Sequence, residues 1–326
     1  MINEEKILCP VCDVQAKKIK SLSQKFIQQK LALHFNTEIT TNLEMVDYAM
    51  MQCPACSFEF AYPPVEGPGA FYNWITAQPS YYTQSRWEYF KVIELLTDKN
   101  KPLSLLDVGC GDGRFFDQVR QSEISNIELC GLDPTEGCVA TCKAKGYTVF
   151  CMDIANFKSA FPDRSFDAVT AYHVLEHIAD PKKFLSELIS LISGTGAIYI
   201  STPYSPMNFE LAWYDVLNHP PHHMGRWNLE VYKKLAANLK LELEVFMPAG
   251  EGLLKAATLS FMFATHGPLT TYPKIKILKS IARHPIKFFK HLHKQSQRTK
   301  IAGKRVSNVI LVKFTKLQGA LGIANI

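Results

Sequence analysis

The chain has 326 residues, 47% of them hydrophobic and 20% charged, with 17 Gly and 18 Pro. That composition belongs to an ordinary folded protein and excludes a disordered, collagen-like or low-complexity chain. The net charge of +6 conceals a split: from Gly252 onward there are fourteen Lys and Arg and no Asp or Glu, leaving 22 basic against 30 acidic residues before it, so an acidic body carries a basic tail.

At about 150 residues per domain the length suggests two domains. No run of about 18 apolar residues occurs, so no membrane-spanning helix is expected. The start, Met-Ile-Asn-Glu-Glu-Lys, is acidic and gives no sign of a secretory signal. Nine cysteines, an odd number, suit a reducing, cytoplasmic compartment better than a disulfide scaffold. Four of them form two knuckles, Cys9-Pro-Val-Cys12 and Cys53-Pro-Ala-Cys56, 40 residues apart. A two-residue gap lets both thiolates of a knuckle face one ion, and two knuckles supply the four-sulfur shell that zinc favours. A closed shell leaves no position for water, which makes the expected role structural. Knuckles of this kind are usually about 15–20 residues apart, so an insertion separates these. Residues 23–35 read as a short helix inside it, and residues 44–51 as a strand leading into the second knuckle. A redox pair would sit in a βαβ unit, and neither pair does. The module, residues 1–66, resembles a zinc ribbon, in which metal binding offsets a thin core.

Residues 67–100 read as a linker followed by an aromatic stretch that includes Phe71, Tyr72, Trp74, Tyr81, Tyr82, Trp87, Tyr89 and Phe90. From 84 to 96 the apolar residues Trp87, Phe90, Ile93 and Leu96 recur every three, which suits an amphipathic helix packed on the next domain.

Residues 103–108 form an apolar strand that runs into Gly109-Cys-Gly-Asp-Gly113 and then a helix opening at Arg114. Strand, glycine turn and helix begin a nucleotide-binding βαβ unit. A second strand ends at Asp133, 20 residues past Gly113, where an acid can accept both ribose hydroxyls. A third strand ends at Asp153-Ile154, an acid placed to meet an adenine amine. A fourth, residues 165–171, leads into Tyr172-His-Val-Leu-Glu-His177 and a helix opened by Pro181.

With LLDVGCGDG, GLDP, CMDI and FDAVTAYHVLEHI in this order and spacing, the chain resembles the class I S-adenosylmethionine-dependent methyltransferases, strongly over residues 103–203. The resemblance implies an α/β fold, a seven-stranded Rossmann-like sheet of order 3-2-1-4-5-7-6 with strand 7 antiparallel, over residues 101–326. Residues 196–202, 241–247 and 307–314 would be its fifth, sixth and seventh strands. It implies S-adenosylmethionine as cofactor. Asp107, Gly109, Gly111 and Asp112 would line its methionine end, Asp133 the ribose, and Asp153 and Ile154 the adenine. Ala171, Tyr172 and His173 would close the pocket below the sulfonium. In relatives acting on quinone precursors an arginine before the first strand pairs with the cofactor carboxylate; Arg86 is the candidate. His173-Val-Leu-Glu176-His177 also matches the inverted zinc-peptidase pattern H-x-x-E-H, but that chemistry needs both histidines on one helix face, and here the motif straddles the end of a strand.

Methyl transfer to a hydroxyl needs alignment and a base, and histidine is suited to the second task. Asn218-His-Pro-Pro-His-His-Met-Gly-Arg-Trp227 follows the fifth strand. His222 and His223, with Tyr204, Arg226 and Trp227, form a polar and aromatic cluster above the expected pocket. His177 competes for the base role. The bland alternative is a turn whose histidines cap the helix near Asn228. Similar loops occur in bacterial methyltransferases with an N-terminal zinc ribbon, some acting on deoxysugars. The Tyr-x-Glu-His signature of sugar C-methylating relatives is absent, so an oxygen on a sugar-derived or other small-molecule acceptor is preferred. The DNA amine methylases carry Asn/Asp-Pro-Pro-Tyr/Phe where this chain has Ala-Tyr-His-Val, so nucleic acid is not favoured.

Residues 248–306 read as a basic helical insertion between strands six and seven. Apolar residues at 277, 278, 281, 286, 288, 289 and 292 approximate one helical face beside Lys279, Arg283, Lys287, Lys290 and Lys294, with Pro285 as a break or kink. It suits a solvated basic face, a peripheral contact with an anionic membrane, or an anionic acceptor such as a sugar phosphate or lipid-linked sugar. Two rivals to the small-molecule reading stay open: a membrane-associated quinone-type O-methyltransferase, and a non-catalytic zinc-ribbon binding protein, against which the intact glycines, Asp133 and Asp153 argue.

Overall fold

The computed structural model describes residues 6–78, 86–97, 103–122, 124, 126–207, 210, 215–248, 250–267, 272–297, 300–301, 304–305 and 307–317. Tyr81 and Tyr82 lie outside them. The N-terminal part comprises β1 (Lys17–Leu22), α1 (Gln24–Phe35), β2 (Tyr48–Gln52) and β3 (Glu59–Tyr62). The Ser23 hydroxyl caps α1 by accepting from the Phe26 N–H at 3.2 Å, and Asn36 ends it in the left-handed region at φ 50°. The helix buries Ile27 and Leu31, one turn apart. Helices α2 (Gly69–Thr76) and α3 (Trp87–Thr97) lead to the large sheet.

That sheet is built by β4 (Leu103–Val108), α4 (Arg114–Arg120), β5 (Ile127–Leu132), α5 (Glu136–Ala144), β6 (Thr148–Phe150), α6 (Ile154–Ala160), β7 (Phe166–Tyr172), α7 (Pro181–Leu191) and β8 (Ile192–Pro203). A short strand, β9 (Gly225–Arg226), and α8 (Leu229–Asn238) follow, then β10 (Leu241–Phe246). The insertion holds α9 (Leu253–His266), α10 (Lys274–Arg283), α11 (Pro285–Ser296) and the short pair β11 (Lys300–Ile301) and β12 (Lys304–Arg305), before β13 (Val309–Lys316). The strand order is β6-β5-β4-β7-β8-β13-β10. All neighbours are parallel except β13, which is antiparallel to both β8 and β10. Counted from β4, this is the expected 3-2-1-4-5-7-6. Leu105, Leu106, Val169, Ile198, Ile200, Leu311 and Val312 are fully buried, as in a sheet covered on both faces. Each such side chain contributes about 1.5–3 kcal/mol.

Three local expectations are corrected. α3 does not bury its three-residue repeat: Phe90 is exposed, while Glu88, Val92 and Leu96 face inward. The true spacing is four, the nearer match to 3.6 residues per turn. The third strand stops at Phe150, and Asp153 caps α6 by accepting from the Asn156 N–H at 2.7 Å. The insertion's apolar residues do not share one face, because the chain breaks at His284–Pro285 into two helices and leaves Leu278, Ile286 and Phe289 in solvent.

A second, antiparallel sheet has the order β1-β2-β3-β9. Its last strand comes from the histidine-rich loop, where Glu59 pairs with Arg226 and Phe60 with Gly225. The Phe58 ring lies 4.8 Å from the fully buried Trp227 ring.

Candidate functional site

Two adjoining cavities open at the carboxyl ends of β4, β5 and β7, the place where open α/β sheets bind ligands. One, of about 390 Å³, is walled by apolar side chains such as Val108, Leu132, Met152, Ile154 and Val174, with Asp153 at its edge. The other, of about 320 Å³, is polar and takes in Arg86, Asp112, Asp133, Tyr172, His173 and the histidines of the loop. Gly109 lines both. It sits at φ 74°, and a Cβ there would come within 2.5 Å of a Val174 methyl. Gly111, at φ 54°, donates its N–H to Asp133 Oδ2 at 2.9 Å.

The Asp133 carboxylate is therefore aimed by backbone: Gly111 N–H binds one oxygen, and Thr135 N–H binds the other at 2.9 Å. Asp107, at the end of β4, is buried and accepts from the Thr170 hydroxyl at 2.7 Å. Burial raises its carboxyl to about 7, against the lowering effect of Thr170 and with a further push from Asp133. Asp112 is held by Arg114 Nε at 2.9 and 3.1 Å. Asp153 and Ile154 line the apolar cavity. Arg86 lies beside Tyr89 on the wall of the polar one. Ala171 and Asp107 are both buried in the sheet and line neither cavity.

His173 takes a left-handed backbone at φ 54°, which turns its ring between two buried carboxylates. Nε2 lies 3.0 Å from Glu88 Oε1 and Nδ1 3.2 Å from Glu176 Oε1. Burial alone would depress its pKa, but the hydrogen bonds to Glu176 and Glu88 outweigh it and hold the imidazolium above the usual range. Among the described residues the buried Tyr172 hydroxyl and Glu176 Oε2 have no hydrogen-bond partner, and both residues line the polar cavity. Orphaned polar atoms on a cavity wall are what a polar ligand would satisfy.

His177, His222 and His223 meet at the far end of that cavity. His222 Nδ1 lies 2.7 Å from the Leu217 carbonyl, His223 Nδ1 2.9 Å from Asn218 Oδ1, and His177 Nδ1 2.5 Å from the His222 carbonyl. Carbonyl oxygens only accept, so each Nδ1 carries a proton and each lone pair sits on Nε2. Burial, with His177 next, lowers His222 to about 3, and His223 is pushed well down by burial and by His222, so both rings stay neutral. Ligand nitrogens of the three lie within 4.8 Å of one another. The His222 and His223 rings, however, stack 4.4 Å apart at 20°. Their in-plane lone pairs run in nearly parallel planes, so these two stacked rings do not aim at one common ion. Tyr204 and Trp227, placed with them by the sequence, line neither cavity; Arg226 instead ties the loop to Glu59 at 2.9 Å and Glu210 at 3.0 Å.

No sequence motif marks Glu88 as a neighbour of His173, or Tyr72 as a neighbour of His177, whose Nδ1 lies 3.3 Å from the Tyr72 hydroxyl. Glu88 did carry a signal, since it stands four residues before Val92 on the buried face of α3.

Away from the cavities, Cys9, Cys12, Cys53 and Cys56 form a second cluster. Cys9–Cys56, Cys12–Cys53 and Cys12–Cys56 have sulfurs 3.4–3.7 Å apart, and all four lie within 4.8 Å of one another; tetrahedral bonds of about 2.3 Å to zinc would set them at roughly 3.8 Å. Each knuckle turns through a left-handed residue, Asp13 at φ 59° and Ser57 at φ 61°, and folds back through the Cys9 N–H to Val14 O and Cys53 N–H to Phe58 O bonds, both 2.9 Å. The donor set and its spacing could hold one metal ion.

Known proteins resemble part of this chain. A ubiquinone biosynthesis O-methyltransferase of Dictyostelium discoideum is 28% identical over 114 residues, 31% of this chain and 35% of that protein. A probable S-adenosylmethionine-dependent methyltransferase of Mycolicibacterium smegmatis is 29% identical over 166 residues, 50% of this chain and 60% of that one. The chain thus spans less than two thirds of the length of either. A SAM-dependent methyltransferase structure from Archaeoglobus fulgidus superposes with a TM-score of 0.45 at 19% identity, covering 70% of this chain and 92% of its own. The methyltransferase-domain family model matches residues 82–244, half of the chain, and the chain belongs to that family.

Proposed function

We propose that this chain transfers a methyl group from S-adenosylmethionine to an oxygen of a small polar acceptor, a sugar-derived one being the preferred class. The observation that carries the reading is the Asp133 carboxylate, oriented by the N–H groups of Gly111 and Thr135 between an apolar and a polar cavity. The cofactor has the same division, an adenine at one end and a charged amino acid at the other, and it supplies an electrophilic methyl on a sulfonium. Asp133 would hold the ribose, Ile154 and Met152 would pack on the adenine, and Arg86 and Tyr172 would meet the methionine end, with the buried Asp107 beneath it. His173, clamped by Glu88 and Glu176, braces the floor of that pocket.

His177 is the reading's base. Its Nδ1–H is held by the His222 carbonyl, so Nε2 is the atom that would receive the acceptor's proton. His222 and His223, buried and neutral, act as its support. The similarity to ubiquinone O-methyltransferases over part of the chain supports oxygen as the accepting atom. Zinc in the four-cysteine cluster is proposed as structural, since four thiolates leave no open position.

The test is turnover. Wild-type protein with S-adenosylmethionine is offered nucleotide-linked sugars, sugar phosphates, lipid-phosphate sugars and catechol-type quinone precursors, and S-adenosylhomocysteine is quantified. Release with a sugar class, abolished in His177→Ala, supports the reading. Release only with the catechols replaces the acceptor, and no release with any of them counts against the reading as stated.

A further inference from the structure

The insertion carries an internal repeat. Residues 275–281 read Ile-Lys-Ile-Leu-Lys-Ser-Ile and residues 286–292 read Ile-Lys-Phe-Phe-Lys-His-Leu, the same pattern eleven residues later. The first copy lies in α10 and the second in α11. Both copies use their positions alike. The third and seventh, Ile277 with Ile281 and Phe288 with Leu292, pack into a small core with Phe261 of α9. The sixth hydrogen-bonds α9 in each case: Ser280 Oγ to His266 Nε2 at 2.7 Å, and His291 Nδ1 to Ser260 Oγ at 3.0 Å.

The first and fourth positions remain, and all four are large apolar side chains in solvent: Ile275 68%, Leu278 67%, Ile286 73% and Phe289 64% exposed. At 100° per residue they form one strip on each helix, about 110° round from the packed side. Lysines at the second and fifth positions stand on the other flank of each strip, Lys276 and Lys279 on α10 and Lys290 on α11, while Lys287 donates to the Ala264 carbonyl and the Thr265 hydroxyl of α9. Beside Ile275 a cavity of about 430 Å³ is walled by Lys276, Lys279, Arg283, His266 and His284. No acidic side chain occurs anywhere from Gly252 onward.

We propose that the α10–α11 face docks on an anionic phospholipid bilayer, with Ile275, Leu278, Ile286 and Phe289 entering the headgroup–acyl boundary and the basic cavity taking lipid phosphate. Apolar strips edged by lysines are what lie flat in that boundary, the long lysine stems reaching back to the headgroups. A soluble basic face would have no use for four exposed aliphatic and aromatic side chains in register. A duplex nucleic-acid surface bound without sequence preference would place polar and basic groups there, since phosphate contacts supply most of that affinity. The charge complementarity selects an anionic bilayer over a neutral one. This inference goes beyond the methyl-transfer reading and stands without it.

The experiment is vesicle co-sedimentation of the intact chain, with circular dichroism to confirm folding of every variant. Vesicles of phosphatidylcholine alone are compared with vesicles containing roughly a third phosphatidylglycerol, at about 0.1 M and about 0.5 M salt. The expected result is binding to the anionic vesicles only, weakened at high salt. Lys276→Ala/Lys279→Ala should weaken partitioning by roughly 30-fold, at about fivefold per lysine. Ile286→Asp/Phe289→Asp, at exposed positions, should abolish it while the fold persists. Glycerol phosphate in excess should compete only partly, because the apolar strips remain. Equal binding to both vesicle types, no binding by folded protein, an unaffected Asp double variant, complete competition by glycerol phosphate, or retention on duplex DNA without vesicle binding would each overturn the proposal.

Discussion

Glu59 and Arg226 are joined twice, as Cα partners across the β3–β9 pair and through an ion pair of 2.9 Å between Glu59 Oε2 and Arg226 Nε. Glu59 stands three residues after Cys56 in the four-cysteine module, and Arg226 three residues after His223 in the histidine loop. Arg226 also reaches Glu210 at 3.0 Å, whose carboxylate accepts from Asn218, and Asn218 in turn accepts from the His223 ring. The Ala61 N–H donates to the Met224 carbonyl at 2.8 Å, and the Met224 N–H to the Glu176 carbonyl at 2.7 Å. The cysteine module is thus the backing on which the histidine cluster is set.

Loosening that backing should disturb turnover before it disturbs the cofactor site. Arg226→Ala leaves the nearly buried Glu210 without its cation, and breaking such a pair costs about 3–5 kcal/mol. The expected outcome is a lower thermal midpoint and a large fall in kcat, with S-adenosylmethionine affinity changed much less. Stripping metal with a chelator should reproduce the same pattern. Differential scanning calorimetry beside isothermal titration checks both, and an equal loss of cofactor affinity would contradict the link.

Within the cluster the three histidines should separate by role. His177→Ala is expected to lower kcat by about 10²–10⁴-fold, the usual contribution of a general base, with cofactor binding intact. His223→Ala, which leaves the buried Asn218 Oδ1 without its donor, should cost about 1–3 kcal/mol of stability as well. Steady-state kinetics and thermal melts of both variants decide this. A His177→Ala enzyme with near-normal kcat would remove His177 as the base.

Asp107 gives a pH dependence of known sign. Its folded pKa, about 7, lies above the unfolded 3.8. The native state therefore binds more protons between those values, and its contribution to stability falls as pH rises from about 4 to about 7, then levels off. Asp107→Asn should flatten that part of the curve and make the empty protein relatively more stable at pH 8 than at pH 5. Thermal unfolding of both proteins across this window is the check; an unchanged slope in the variant would rule out Asp107 as its source.

Much of this was legible in advance where local signals and the fold agree. Residues 103–108, 165–171 and 196–202 are apolar runs ended by glycine or polar residues, and a fully covered sheet produces that pattern. The glycine turn and Asp133 were readable because a tight strand-to-helix turn needs glycine, and an acid at that spacing can accept the Gly111 N–H. The fourfold cysteine set was readable for the same reason. What stayed hidden depends on chain segments far apart. β9 is two residues long and exists because β3 offers an edge. The Glu88–His173–Glu176 clamp joins residues 85 positions apart. The burial of His222 and His223, which keeps both rings neutral, arises from the packed loop around them and not from their neighbours in sequence. Phe90 misled because a three-residue apolar repeat drifts round a helix of 3.6 residues per turn.

The central claim is that Asp133 and the glycine turn form a cofactor site. Isothermal titration of folded, metal-loaded protein with S-adenosylmethionine and S-adenosylhomocysteine, beside Asp133→Ala, tests it most directly. The account predicts that both bind the wild type and that the variant loses about 1–3 kcal/mol, the cost of leaving buried hydroxyls and N–H groups without an acceptor. Absence of binding to folded wild type, or affinity unchanged in Asp133→Ala, would contradict it.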